Sequence, residues 1–147
     1  MSTELSKIAE KAKTDPELRF TSLAHLLTPE FLKETWTQMN RKGVGGVDGE
    51  TIRDYEKDLD GRIGDLHERL KAGRYKAPPV RRVDIPKGNG KMRTLGIPTV
   101  EDRLVQRAVA RILGAIYEAD FLGVSYGFRP GRNPHQALRR LRECIMA

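Results

Sequence analysis

Apolar residues recur along this chain at helical spacing in five stretches and at strand spacing in one. Leu5, Ile8 and Ala12 fall on one side of a short helix over residues 4–13. Thr28-Pro29-Glu30 predicts a second helix, because Thr28 can cap it and Pro29 suits its first turn. Phe31, Leu32, Thr35, Trp36 and Met39 would face inward, and Gly43 would stop that helix. Thr51 and Asp54 fit a capping box, after which Ile52, Tyr55, Leu59, Ile63, Leu66 and Leu70 follow at intervals of three or four. The pattern predicts one long amphipathic helix, ended by Gly73 and barred from continuing by Pro78-Pro79.

Residues 99–118 open with Thr99-Val-Glu-Asp102, a second capping-box pattern. Leu104, Val105, Ala108, Val109, Ile112, Leu113, Ile116 and Tyr117 then form a wide apolar stripe, with Arg103, Arg107 and Arg111 on another face. FLGVSYGFRPGR (121–132) is a turn-rich connection, and Asn133-Pro134 starts a last helix with Leu138, Leu141 and Ile145 inward. That helix reaches Ala147 without a glycine cap, a proline or a polar tail, so the chain reads as interrupted.

The alternating stretch is RRVDIPKGNGKMRTLGIPT (81–99). A two-residue Asn-Gly turn would set Ile85 opposite Thr94 and Val83 opposite Gly96, which are poor partners. A three-residue loop, Gly88-Asn89-Gly90, sets Ile85 opposite Arg93 and Val83 opposite Leu95. Val83, Ile85, Leu95 and Ile97 then share one face, since side chains alternate along a strand. On that face the base is apolar and the tip carries Lys87, Lys91 and Arg93. Three neighbouring like charges repel one another. They make sense if a phosphate group arrives between them. They also fit a basic edge hairpin that merely resists aggregation.

Charge sharpens the first alternative. Residues 1–73 carry 12 Lys/Arg and 14 Asp/Glu, residues 74–147 carry 15 and 6, and the resulting −2 and +9 add to the chain's +7. A polyanion would bind the second half. No apolar run approaches the ~20 residues of a membrane helix, and the N-terminus lacks the apolar core of a secretory signal, so a cytoplasmic location is the expectation. The one cysteine, Cys144, makes no internal disulfide, and the three histidines share no metal-ligand spacing. GVGGVDGET (43–51) is glycine-rich and reads as a flexible, backbone-exposed loop, but it lacks the Lys-Ser/Thr of a P-loop. Glu101 and Asp102 open a helix, where acidic residues are favourable for the dipole alone.

RRVDIPKGNGKMRTLGIPTVEDRLVQRAVARILGAIYEADF followed by SYGFRPGRNPHQAL closely resembles the bacterial group II intron-encoded reverse transcriptases, also called maturases. GVGGVDGETI and LKAGRYKAPPVRRV resemble that family's N-terminal extension, and the likeness covers residues 20 to 147. The resemblance implies an α+β architecture: a helical N-terminal extension (1–73), then part of the fingers of a right-hand polymerase (74–147), before the palm. It implies that Lys87 and Arg93 contact the triphosphate of an incoming deoxynucleotide; Lys91 is not a position it carries over, and is read as an auxiliary nucleic-acid contact. It makes Gly45 and Gly46, in the 43–49 loop, neighbours of template and primer. Arg129 and Arg132 become candidates for template contact or for anchoring the fingers; pairing with backbone carbonyls or an acidic side chain is the structural alternative. Asp84 stands where an acidic residue is not expected and would weaken the local attraction for phosphate.

The family's chemistry uses two magnesium ions about 3.5–4 Å apart, clamped by carboxylates. The resemblance places those in the palm, on a strand beyond residue 147 and in a Tyr/Phe-Ala-Asp-Asp turn that this sequence lacks. The expectation is an N-terminal fragment with no catalytic residues of its own. Its intact parent would copy intron RNA into DNA from a DNA primer with magnesium, and would assist splicing. A stand-alone basic RNA-binding module and a non-functional truncated product are the competing readings.

Overall fold

A computed structural model describes residues 3–88 and 90–146. Six α-helices and one antiparallel hairpin follow in the order α1 (Thr3–Thr14), α2 (Pro29–Thr37), α3 (Ile52–Glu56), α4 (Leu59–Lys71), β1 (Arg81–Pro86), β2 (Met92–Ile97), α5 (Val100–Tyr117) and α6 (Pro134–Met146), with a single 3-10 turn at Ala24–Leu26. The α+β class that the resemblance implies is the observed one. The chain divides into two compact units, Phe20–Ile112 and Met1–Arg19 with Leu113–Ala147. These boundaries follow packing and differ from the division by charge at residue 73.

In the unit Phe20–Ile112, Thr28 caps α2 by accepting from the Phe31 N–H, and Pro29 occupies the first turn. Phe31, Leu32, Thr35 and Trp36 are buried, as their spacing predicts, and Met39 is half-buried. α2 ends at Thr37, well before Gly43. Asn40 makes the turn instead: its Oδ1 accepts from the Lys42 N–H. The capping box at Thr51 and Asp54 forms with both of its hydrogen bonds. The single helix expected from Ile52 to Leu70 is two helices, because Asp58 leaves helical geometry (φ −134°, ψ 50°). The break leaves Ile52 and Tyr55 of α3 and Ile63 and Leu66 of α4 all buried. The Trp36 and Tyr55 rings stack at 5.1 Å.

α4 closes with a two-bond C-terminal cap. The Gly73 N–H reaches the Leu70 carbonyl and the Arg74 N–H reaches the Arg69 carbonyl at 2.9 Å. Gly73 supplies the left-handed φ of 66° that this cap needs. Val100, Leu104, Val105, Ala108 and Ile112 of α5 complete the core.

In the other unit, Leu5 and Ala12 of α1 are buried. Asn133 and Gln136 cap α6 reciprocally, each side chain accepting from the other's N–H at 3.0 Å. The inward positions expected on α6 are corrected here: Leu138, Leu141 and Ile145 are exposed, and no described α6 residue is buried. Leu113 and Tyr117, the last part of the α5 stripe, are exposed too, as is Val109 before them. Helical spacing identifies an apolar face but not what covers it, and the described residues leave this one open.

Candidate nucleic-acid interface

The hairpin adopts the three-residue-loop register. Val83 pairs with Leu95, Ile85 with Arg93 and Pro86 with Met92. The Lys87 N–H donates to the Lys91 carbonyl at 2.6 Å and the Gly90 N–H to the Lys87 carbonyl at 3.1 Å. Gly90 takes the left-handed position of the loop (φ 76°). Asn89, the middle of the expected loop, lies outside the described residues. Strand alternation then places Val83, Ile85, Leu95 and Ile97 on one face with Lys87, Lys91 and Arg93 toward its tip. Asp84 is on the opposite face, where its carboxylate accepts from the Thr94 hydroxyl at 2.5 Å.

Charge partners distinguish the tip from its surroundings. Among the described residues, neither Lys87 nor Arg93 has an acidic side chain within ion-pair distance. Several arginines on the body of the same unit, by contrast, are engaged. Arg69 forks onto Glu101 at 2.9 and 2.8 Å, which holds the guanidinium even more firmly protonated than usual. Arg111 donates to the Thr35 hydroxyl and to Glu34, both at 2.6 Å, and lies over the Phe31 ring. Arg103 donates to the Val44 carbonyl at 2.8 Å. The face of α5 expected to carry three arginines thus has two of them turned back onto the chain.

The hairpin base is tied down on both sides. The Tyr75 hydroxyl, just before β1, donates to Asp102 at 2.9 Å, and the Gln106 amide donates to the same carboxylate at 2.7 Å. Burial, then the bond to Asp102, pushes the Tyr75 phenol above its ordinary value. Thr99 caps α5 through the Asp102 N–H at 3.2 Å. Glu101 and Asp102 therefore have structural partners, as their place in a first helical turn suggests.

The glycine-rich loop packs against that same base. Gly45 and Gly46 are buried. A Cβ at Gly46 would lie 2.7 Å from the Thr99 backbone, and one at Gly45 would lie 2.7 Å from the Glu50 carbonyl. These glycines admit a neighbouring backbone; their own surface is enclosed. Val44 and Val47 are the loop's exposed apolar side chains.

In the other unit, the Arg129 side chain is 6% exposed and almost fully occupied. It meets Glu118 at 2.6 Å and the carbonyls of Leu122 and Ser125 at 3.0 and 2.8 Å, and it stacks over Phe121. The Arg129 guanidinium holds the Glu118 carboxyl below the usual range. This is the structural alternative named for Arg129. Arg132 is exposed and stacks on Tyr126 at 5.1 Å. Between them Phe128 is fully exposed in a left-handed conformation (φ 57°), a strained geometry for an aromatic residue. Sequence reading missed both Phe128 and the Arg103 contact. Neither leaves a signal in spacing: Val44 and Arg103 are far apart in the chain, and a single residue of unusual φ has no periodicity.

Among the described residues no group of three or more His, Cys, Asp or Glu could hold a metal ion. The carboxylates around the hairpin base are bonded to Arg69, Tyr75, Gln106 and Thr94. They do not fit a magnesium-clamping pair. No described helix is long and apolar enough to cross a membrane.

This geometry defines an α+β protein with a hairpin whose tip is basic. No family model matches the chain. Protein YkfC of Escherichia coli is 44% identical over 140 residues, which is 92% of this chain and 37% of that protein. The group II intron-encoded protein LtrA of Lactococcus lactis is 37% identical over 143 residues, 94% of this chain and 23% of that protein. Nuclear intron maturase 1 of Arabidopsis thaliana is 47% identical over a shorter stretch of 45 residues, 31% of this chain and 6% of that protein. The chain is a relative of the group II intron reverse transcriptases and maturases, and it spans well under half the length of these relatives.

Proposed function

We propose that this chain supplies the fingers contacts of an RNA-directed DNA polymerase of the group II intron kind. Lys87 and Arg93 hold the triphosphate of the incoming deoxynucleotide. Lys91 and Arg132 contact template RNA. The glycines at 45 and 46 and the bound Arg129 act through the backbone they shape. The observation that carries this reading is the hairpin tip. Two cations share one face there without an acidic partner among the described residues, whereas Arg69 and Arg111 of the same unit are neutralised. A triphosphate fits such a gap, because Arg forks onto phosphate and Lys supplies a point charge. Copying intron RNA from a DNA primer with magnesium, and assisting its splicing, are the activities proposed for the intact protein.

The test titrates a deoxynucleoside triphosphate and, separately, a short single-stranded RNA onto the chain. Arg93→Ala is expected to weaken triphosphate binding about 10- to 100-fold, the worth of a charged hydrogen bond. RNA affinity should change little. If RNA binding collapses while triphosphate binding holds, Arg93 is a backbone contact and the reading is wrong. The acidic side chains bound up at the hairpin base favour a second reading, RNA binding without synthesis. Primer extension on an RNA template separates the two. The chain alone is expected to extend nothing, and any extension would place the catalytic carboxylates within these residues.

A further inference from the structure

We propose that Arg103 is a positioning residue that locks the glycine-rich loop onto the root of the basic hairpin, so that loop and hairpin meet bound RNA as one rigid surface. The RNA part of this rests on the function proposed above; the lock itself does not. Four observations carry it. Arg103 Nη2 donates to the Val44 carbonyl at 2.8 Å, across 59 residues of sequence. Its Nη1 occupies the space that a Cβ at Gly43 would need, so any larger residue at 43 has to displace the guanidinium from this position. Its Nε is the described chain's one buried side-chain polar atom without a hydrogen-bond partner. Gly46 rests on the backbone of Pro98 and Thr99, the link between β2 and α5.

Leaving a charged donor buried and unsatisfied is costly. The cost is tolerated where the surrounding packing over-determines the side chain, and here the surroundings are the loop. The far end of the loop is fastened independently. Gly49 N–H returns to the Gly46 carbonyl at 3.2 Å, and Glu50 pairs with Arg62 at 2.6 Å. With Arg103 in place both ends are held, and Val44 and Val47 project from a fixed base.

The experiment compares the unmodified chain with Arg103→Ala, Gly43→Ala and the double variant, by amide hydrogen exchange and RNA titration. Gly43→Ala approaches the lock from the loop side and leaves α5 intact. Each single variant is expected to speed exchange at residues 44–49 by about tenfold or more, the effect of losing one strong contact, while Leu95 and Ile97 of β2 keep their protection. The double variant should add little, because either change already opens the lock. RNA affinity should fall about threefold to tenfold with an unchanged salt slope, since Arg103 meets no phosphate. Unchanged exchange in the loop, or additive effects in the double variant, would overturn the lock. A salt slope reduced by Arg103→Ala would make Arg103 a phosphate contact and overturn its positioning role. If exchange rises as expected but the unmodified chain does not bind RNA, the lock stands, and the rigid RNA-meeting surface fails together with the proposed function.

Discussion

The hairpin at 81–97 and the SYGFRPGR turn at 125–132 are both basic, both glycine-bearing and both part of the family resemblance, yet Arg93 of the one and Arg129 of the other are used in opposite ways. Arg129 is buried and its donors go to Glu118 and two carbonyls. Arg93 is exposed on a strand, and no described carboxylate pairs with it. A basic motif is therefore not by itself a binding surface. Charge that is satisfied internally builds the chain; charge left open on a rigid frame is available to an anion. The two regions can be pushed apart experimentally.

The largest effect is expected at the closed region. Arg129→Ala removes charged hydrogen bonds to two carbonyls and a stacked, buried side chain, and should cost about 2–4 kcal/mol of stability in urea unfolding. A loss near zero would erase the contrast with the hairpin. Gly46→Ala is next. Its Cβ would press on the Thr99 backbone at 2.7 Å, and overpacking of this kind costs about 1–3 kcal/mol. Acid probes the same contrast. Glu118 has a lowered pKa, chiefly through its hydrogen bond to Arg129. A lowered folded-state value means stability that is present above the ordinary 4.5 and lost as pH falls through the folded-state value. Thermal melts between pH 6 and pH 3 should show that loss, and Arg129→Ala should flatten it.

How much of this was legible beforehand differs between the regions for a physical reason. The hairpin register, the caps at Thr28 and Thr51 and the stop at Gly73 are local, set by residues a few positions apart, and spacing reveals them. The break at Asp58 was not legible, because the apolar rhythm runs straight through it. The engagement of Arg103 and Arg111 was not legible either, since their partners at Val44, Glu34 and Thr35 lie roughly 60 to 77 residues away. Gly45 and Gly46 read as a flexible loop from composition, whereas packing makes them a close backbone contact. α6 shows the converse. Its apolar row is plain in the sequence, but inward describes a relation to a neighbour, and sequence spacing holds no information about that neighbour.

The smallest stability effects, and the sharpest division of labour, are expected within the open region. Removing Lys87, Lys91 or Arg93 singly should shift unfolding by no more than about 0.5 kcal/mol, and toward greater stability if repulsion dominates. Binding should separate what stability cannot. Lys91→Ala is expected to lower the slope of log affinity against log salt for single-stranded RNA by roughly 0.7, the signature of one lost phosphate contact. Lys87→Ala and Arg93→Ala should leave that slope alone and weaken triphosphate binding instead. If all three substitutions lower the RNA slope equally and spare the triphosphate, the tip is one undifferentiated polyanion site. Lys87 and Arg93 would then still contrast with the closed Arg129, but as part of a grip on RNA backbone with no place for a nucleotide.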